Sequence, residues 1–433
     1  MRFQFLAFID ARETGNLVDQ FRLEPRMRAN MRYPFRDLLA ASIFLASGIG
    51  AVAQPAPTLK VGVLTDTSSV YADFGGQGSI VSAQMAIEDL RGKLGNYKLE
   101  LVSADHQNKA DVGMDIARRW FDQDGVDVIV DLPNSSVALA VQNLARERNK
   151  VLLVTSALAS DITGKSCSPT TAHWTYDTYS QAHVTGNAIV GQGGDTWYFL
   201  TADYAFGHAF ERDTTEVVKA AGGKVLGAVR HPLNTADFSS FLLNAQSSHA
   251  KIIGLANGGN DMVTAIKQAS EFGIGTGNQK LAALLIYITD VHSLGLKAAQ
   301  GLVLSSPFYW DQNDATREWS RRFMERHKKV PTMVQAAAYS AVAHYLNSVA
   351  KAGSKDSAAV MKAMRDTPIN DFMTKNGKLR EDGRVIRDMY LFQVKSPADS
   401  KHAFDYYKLL DTVPGEKAFR PLAESQCPLV KGK

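Results

Sequence analysis

Ser135 and Ser136 stand side by side in Leu132-Pro133-Asn134-Ser135-Ser136-Val137-Ala138-Leu139, directly after the apolar run VDVIVD and at the head of a segment with helical spacing. Hydroxyls in that place can do two kinds of chemistry. One serine can cap the helix by accepting from its free backbone N–H groups. The other hydroxyl and the remaining amides can hold an anion, helped by the positive end of the helix dipole. A second group of small residues, Thr155-Ser156-Ala157, ends the next apolar run, where it lets a ligand approach the backbone closely.

Residue types suited to catalysis are present but not arranged for it. Thr163-Gly164-Lys165-Ser166 ends like a phosphate loop, yet Ala159 stands where the leading glycine must be and no strand-to-helix turn of the right length surrounds it. The run Gly191-Gln192-Gly193-Gly194-Asp195 lacks the third glycine of a dinucleotide fingerprint. There is no GxSxG elbow and no HExxH zinc helix. His208, beside Gly207, has no partner to make it a base. The chain is therefore expected not to be an enzyme and to need neither cofactor nor metal.

The elements that must carry the serines follow from the pattern of the chain. The apolar runs LKVGVL, KLELVSAD, VDVIVDL, VLLVTS, TWYFLTA, KVLGAV, KIIGLAN, KLAALLIY and GLVLSS read as strands. Between them lie helical stripes such as Ile80, Ala83, Ile87 and Leu90, then Ile116 and Trp120, then Leu139, Val141, Leu144 and Ala145. Strand and helix in alternation imply parallel sheets with right-handed crossovers. The alternation pauses over a Ser/Thr/Gly/Pro-rich stretch up to about Tyr179 and restarts at TWYFLTA, so two doubly wound lobes are expected. In such sheets ligands sit beyond the carboxyl ends of the strands, which is where both serine groups lie.

At 433 residues the chain is too long for one compact core. Hydrophobic residues at 45%, charged residues at 21% and a mean hydropathy of −0.16 describe a soluble globular class. Arg32 and Arg36, the apolar stretch LLAASIFLASGIGAVA and Ala51-Val52-Ala53 read as a secretory leader over 31–53, cleaved after Ala53. Residues 1–30 read as an over-extended start. Loss of 1–53 removes 7 of 48 basic and 5 of 44 acidic side chains, leaving a net charge of +2. That balance gives nucleic acid no electrostatic footprint. In an oxidising compartment the two cysteines, Cys167 and Cys427, are expected to form one structural disulfide.

The stretches LKVGVLTDTSSVYADFGG, NSSVALAV, VTSALASDITGKSCSP, HWTYDTY, TADYAFGHAFERD, LANGGNDMVTAIKQASEFGI and ITDVHSLGL, in this order, resemble the leucine/isoleucine/valine-binding family of type I periplasmic solute-binding proteins. The resemblance implies two Rossmann-like α/β lobes joined by a three-crossing hinge, with a helix-rich remainder. It divides the chain into 58–175 with 309–372, and 176–308 with 373–433. It also implies a monomer that traps a small solute and delivers it to the membrane permease of an ABC importer. A ligand-sensing receptor module is the second reading, set aside because no further apolar span follows CPLVKGK.

Carried over residue by residue, Ser136 matches the serine that binds the ligand carboxylate, with Ser135 beside it, and Ser156 and Ala157 supply amides to the same group. Tyr71, Phe74, Tyr176, Phe206, Phe308 and Tyr309 are candidate aromatic walls, with Trp174 and Trp310 further candidates. The family's ammonium-binding glutamate falls on Ile288, with Asp290 two places on. A second pocket tyrosine falls near Gly258, next to Asn257, and Asp261 is expected to cap the following helix. An anion clamp without an ammonium partner suits a flat apolar carboxylate such as a benzoate derivative, because a desolvated, unpaired ammonium is costly. Branched-chain amino acid or amide binding is the alternative.

Overall fold

The computed structural model describes residues 56–95, 97–275 and 277–430. The leader expected over 31–53 and the stretch 1–30 lie outside these residues. The first lobe begins with β1 (Thr58–Thr65), α1 (Gly76–Leu90), β2 (Lys98–Asp105), α2 (Ala110–Asp122), β3 (Val128–Asp131), α3 (Ser135–Glu147), β4 (Val151–Val154) and β5 (Thr171–His173). Its sheet is wholly parallel, in the order β2-β1-β3-β4-β5. Every residue of β3 and β4 is buried, the mark of strands covered on both faces. Val61, Val63, Val128 and Val130 face one core cluster, while Leu64, Ile129, Leu152 and Val154 face another built on α2 and α3.

The second lobe follows through α4 (Thr178–Gln181), α5 (Asn187–Gly191), β6 (Thr196–Ala202), α6 (Ala205–Ala220), β7 (Lys224–His231), α7 (Ser239–Ser247), β8 (Ile252–Ala256), α8 (Asn260–Glu271), β9 (Lys280–Ala283), α9 (Ile288–Leu294), α10 (Leu296–Ala299) and β10 (Val303–Ser306). Its four-stranded sheet is also parallel, in the order β7-β6-β8-β9. The chain then returns to the first lobe with α11 (Asp314–His327), α12 (Met333–Ala352) and α13 (Ser357–Asp366), where α12 packs with α1 in one cluster. After these helices come β11 (Lys378–Leu379), β12 (Val385–Ile386), β13 (Met389–Val394), β14 (Tyr407–Val413) and α14 (Gly415–Ala418). The remainder is thus not only helical. β13 joins β10 and β14 in an antiparallel sheet of the second lobe.

Three passages connect the lobes: after β5, after β10, and at Arg387–Asp388 between β12 and β13. The β11–β12 hairpin lies beside β5, where the His173 N–H donates to the Gly383 carbonyl at 2.8 Å. The hairpin falls within 373–433, which the resemblance assigns to the second lobe, yet its partner here is a strand of the first. Arg384, almost fully buried, ties the first passage to the third by donating to the Tyr176 carbonyl at 2.6 Å, and its guanidinium lies 4.9 Å from the Phe419 ring.

Cys167 and Cys427 form the expected disulfide, across a sequence separation of 260. Opening it releases a long loop in the unfolded chain, so reduction or Cys427→Ser should cost about 2–4 kcal/mol of stability. Thermal unfolding with and without reductant checks this; an unchanged midpoint contradicts it.

Candidate functional site

The first lobe presents its ligand-facing loops from the carboxyl ends of β1, β3 and β4. Asp66 shapes the β1 loop by accepting from the N–H groups of Ser69 (2.9 Å) and Tyr71 (3.0 Å), which turns Tyr71 inward. Phe74 is fixed from α12, whose capping Thr332 donates its hydroxyl to the Phe74 carbonyl at 2.6 Å. At the end of β3, Asp131 and Leu132 both take positive φ, +92° and +59°, a costly choice for residues with a Cβ. The buried Asp131 carboxylate accepts from the hydroxyls of Thr155, at 3.0 Å, and Ser156, while Thr65 and Ser79 stand beside it. Burial pushes its pKa up and these hydroxyls pull it down, the net direction being up.

Neither serine caps α3. Asn134 does, its Oδ1 accepting from Ser136 N at 2.8 Å and Val137 N at 3.1 Å, because an asparagine one residue earlier reaches both amides. The Ser135 hydroxyl instead accepts from the N–H groups of Leu158 and Ala159, at 3.3 and 3.2 Å, pinning the two loops together. His173, held neutral by burial, meets the Ala157 carbonyl at 2.7 Å from the other side. Ser136 is half-buried, and its hydroxyl has no partner among the described residues.

The second lobe contributes the starts of α6, α8 and α9. Tyr204 precedes α6 and Phe206 lies in its first turn, where Gly207 is required because a Cβ would come within 2.0 Å of the Ala202 carbonyl oxygen. Gly259, at φ +61°, lets α8 approach the first lobe: a Cβ there would lie 2.5 Å from the Val70 carbonyl oxygen.

The two sides meet through tyrosine hydroxyls. Tyr71 and Tyr204 pair across the lobes at 2.5 Å, as do Tyr176 and Tyr287. Tyr176 donates to the Ser156 carbonyl at 3.3 Å, so Tyr287 is the donor of its pair. Phe74 stacks on Tyr287 with centroids 4.2 Å apart. Around these rings remains a cavity of about 10 Å³, the room of roughly one water. It is lined by Tyr71, Phe74, Pro133, Leu158, Tyr204, Phe206, Gly258, Leu285 and Tyr287, and none of these side chains carries a charge. Burial holds the phenols of Tyr71, Tyr176, Tyr204 and Tyr287 above the ordinary tyrosine pKa, so they remain neutral donors.

Of the residues expected at the site, Tyr71, Phe74 and Phe206 line this cavity, and Tyr176 and Ser156 adjoin it through hydrogen bonds. Ser136 and Ala157 do not line it; Ser136 lies three residues after the lining residue Pro133, and Ala157 one before Leu158. Ile288, Phe308 and Tyr309 line a separate small cavity that shares only Tyr287 with the first. β9 stops at Ala283, four residues before the end of the expected strand KLAALLIY, so Leu285 and Tyr287 reach the cleft while Ile288 opens α9 and packs into the second lobe's core. Asn257 turns away and meets His231 at 3.1 Å. Trp174 is core, donating to Ser340 at 2.9 Å, and Trp310 donates to the Phe404 carbonyl at 3.0 Å. Tyr204, Tyr287, Pro133, Leu158 and Leu285 escaped the sequence reading. Tyr204 and Tyr287 lie within two residues of named candidates, so a shorter β9 and attention to the residue before each helix would have found both.

Both candidate acids hold backbone N–H groups and line no part of the cavity, although each lies close enough for its charge to raise the pKa of the cleft's phenols. Asp290 folds back on its own helix start and accepts from Tyr287 N at 2.9 Å. Asp261 does not cap α8, which begins after Gly259; it accepts from Asn234 N at 3.2 Å. Burial raises their pKa values to about 7 and about 6.

Two parallel α/β lobes closed over an uncharged aromatic cleft, with three passages as the hinge, define a two-lobed solute trap. The chain belongs to the periplasmic binding protein family, whose sequence profile matches residues 58–401. Members of this family are exported substrate-binding proteins of ABC transporters and not enzymes. A periplasmic binding protein from Burkholderia mallei is 51% identical, covers 87% of this chain and 100% of its own, and superposes with a TM-score of 0.85. A protein of Burkholderia xenovorans LB400, described as a branched chain amino acid ABC transporter periplasmic ligand-binding protein, is 42% identical over 86% of this chain and 100% of its own, with a TM-score of 0.77. A solute-binding protein from R. palustris in complex with benzoate shares the fold at 19% identity, 86% and 100% coverage and a TM-score of 0.75.

Asp290 generates a pH dependence. Its folded pKa, about 7, lies above the value of about 4 in the unfolded chain, so the folded state holds more protons between the two and stability falls as pH rises through that window. Asp290→Asn keeps an acceptor for Tyr287 N–H and removes the loss. The variant should match the parent near pH 4 and exceed it by roughly 1–4 kcal/mol at pH 8, read by denaturant unfolding at both pH values.

Proposed function

We propose that the protein traps a small aromatic carboxylate between its lobes and hands it to the membrane permease of an ABC importer. One observation carries the reading: the cleft cavity is lined by aromatic and apolar groups and offers no carboxylate to an ammonium. A zwitterionic amino acid would leave its ammonium desolvated beside Leu285 and the rings, at a cost that apolar contact does not offset. An aromatic acid needs only an anion clamp and a slot for its ring. The Ser136 hydroxyl, at the positive end of the α3 dipole, supplies the first together with the Ala157 amide of the neighbouring loop, while Ser156 holds that loop in place through Asp131. The space now filled by the Phe74–Tyr287 stack supplies the second once the lobes part and the rings separate. The benzoate complex of the R. palustris protein supports the reading only so far as this fold can hold such a ligand.

Branched-chain amino acid binding remains the second reading, favoured by the description of the B. xenovorans protein. The proposal also includes export with the leader removed after Ala53, and closure of the first lobe's segments, 58–175 and 309 to about 386, on the second lobe.

Calorimetric titration of protein unfolded and refolded to strip bound solute should show a benzoate-type acid binding at least tenfold more tightly than leucine, isoleucine or valine. Tighter binding of leucine would overturn the assignment. Ser136→Ala removes a hydrogen bond to a charged group, worth about 1.5–3 kcal/mol, and should weaken the aromatic acid by roughly tenfold to a hundredfold with the fold intact. Unchanged affinity would show that the carboxylate lies elsewhere.

A further inference from the structure

A second cavity, of about 130 Å³, opens on the hinge and shares no lining residue with the cleft. Gln312 and Asn313 border it from the passage after β10, Thr374 and Lys375 from the loop after α13, and Arg387 and Tyr390 from the passage into β13. Arg387 is only 3% exposed, yet none of its three guanidinium nitrogens has a hydrogen-bond partner among the described residues. The hydroxyl of Thr374, 4% exposed, is likewise unpartnered.

The acids nearby do not complete the arginine. Asp371 spends its carboxylate on the N–H groups of Met373 (2.9 Å) and Thr374 (2.8 Å) and on the Ser340 hydroxyl. Asp388, exposed at the rim, accepts from Gly415 N at 3.1 Å. Arg384, three residues earlier, shows the contrast: it is as deeply buried, but the Val385 and Tyr176 carbonyls take its Nε and Nη1 hydrogens, only Nη2 is left over, and Asp177 stands 3.7 Å away. Burial lowers the Arg387 pKa to about 10, which still leaves the group charged at neutral pH. A desolvated cation with a free planar fork, a free hydroxyl beside it and a lysine at the mouth is a receptor for a bidentate anion.

We propose that this cavity binds a small oxyanion, of the phosphate, sulfate or carboxylate class, on the fork of Arg387. The position gives the site a role. Arg387 belongs to the third passage, shares the cavity with Gln312 and Asn313 of the second, and lies 5.8 Å from the ring of Trp174 just after β5 in the first. An anion held there joins segments that must shift against one another when the lobes open, so its occupancy couples to solute affinity, and the coupling is reciprocal.

The test is titration of the whole exported chain with sodium phosphate, sulfate or acetate at matched ionic strength, followed by thermal midpoint and calorimetry. A saturable rise in midpoint is expected with at least one of the three, and the preferred anion separates an inorganic source from an organic acid. Arg387→Met should abolish the anion-dependent part while remaining folded by circular dichroism. Lys375→Ala, on an exposed loop, should weaken the anion threefold to tenfold and guards against a folding defect in the first variant. In Ser136→Ala a phosphate or sulfate response should persist, and any acetate response lost in that variant belongs to the cleft rather than to this cavity. No saturable response to any of the three anions, or an equal response in Arg387→Met, overturns the proposal.

Discussion

The buried carboxylate of Asp131 fixes the ligand-facing edge of the first lobe, because it gathers the ends of three neighbouring strands onto one group. Thr155 and Ser156 of the β4 end donate to it, Thr65 of β1 stands beside it, and its own backbone, at positive φ, turns β3 toward the α3 cap. A carboxylate in so enclosed a place is tolerable only when hydroxyls surround it. That requirement accounts for the small polar residues clustered on both loops. Ser135 and Ser156 are spent on architecture, which leaves the Ser136 hydroxyl without a partner among the described residues.

The aromatic cleft depends on that edge. Tyr176 reads the position of the Ser156 carbonyl and passes it to Tyr287 by a hydroxyl pair; Tyr71 does the same toward Tyr204. Each pair is a neutral hydrogen bond of modest net worth, about 0.5–1.5 kcal/mol, so closure rests on weak, directional contacts that opening can break and remake. The glycines at 207 and 259 allow the approach because each carries a backbone oxygen of a neighbouring segment where a side chain would stand.

Strand and helix periodicity made most of the two parallel sheets legible, since both faces of each sheet are covered and the runs are continuously apolar. β5 was hidden, because three residues in a Ser/Thr/Pro-rich stretch carry no period. β11, β12 and β14 were hidden for a related reason: two are two residues long, and β14 leaves Leu409 and Leu410 exposed and carries no regular alternation. Within the site, Tyr71, Phe74 and Phe206 were readable from motif and aromatic character. The far wall was not, since a run such as LLIYI gives no sign of where a strand ends and a helix begins. The register there is set by the Asp290 carboxylate closing on the Tyr287 amide, a contact three residues apart that only the fold discloses.

The Cys167–Cys427 bond spans all three passages between the lobes and nearly all of the second lobe's chain. Its consequence is topological as well as energetic. The backbone from 167 to 427 becomes a closed ring, from which the first strands and helices of the first lobe emerge as a tail. A single protease cut in any exposed loop of that ring therefore yields two peptides that still form one covalent molecule, with both walls of the cleft attached. In the periplasm, where no ribosome can replace a damaged copy, a nicked one keeps its parts together.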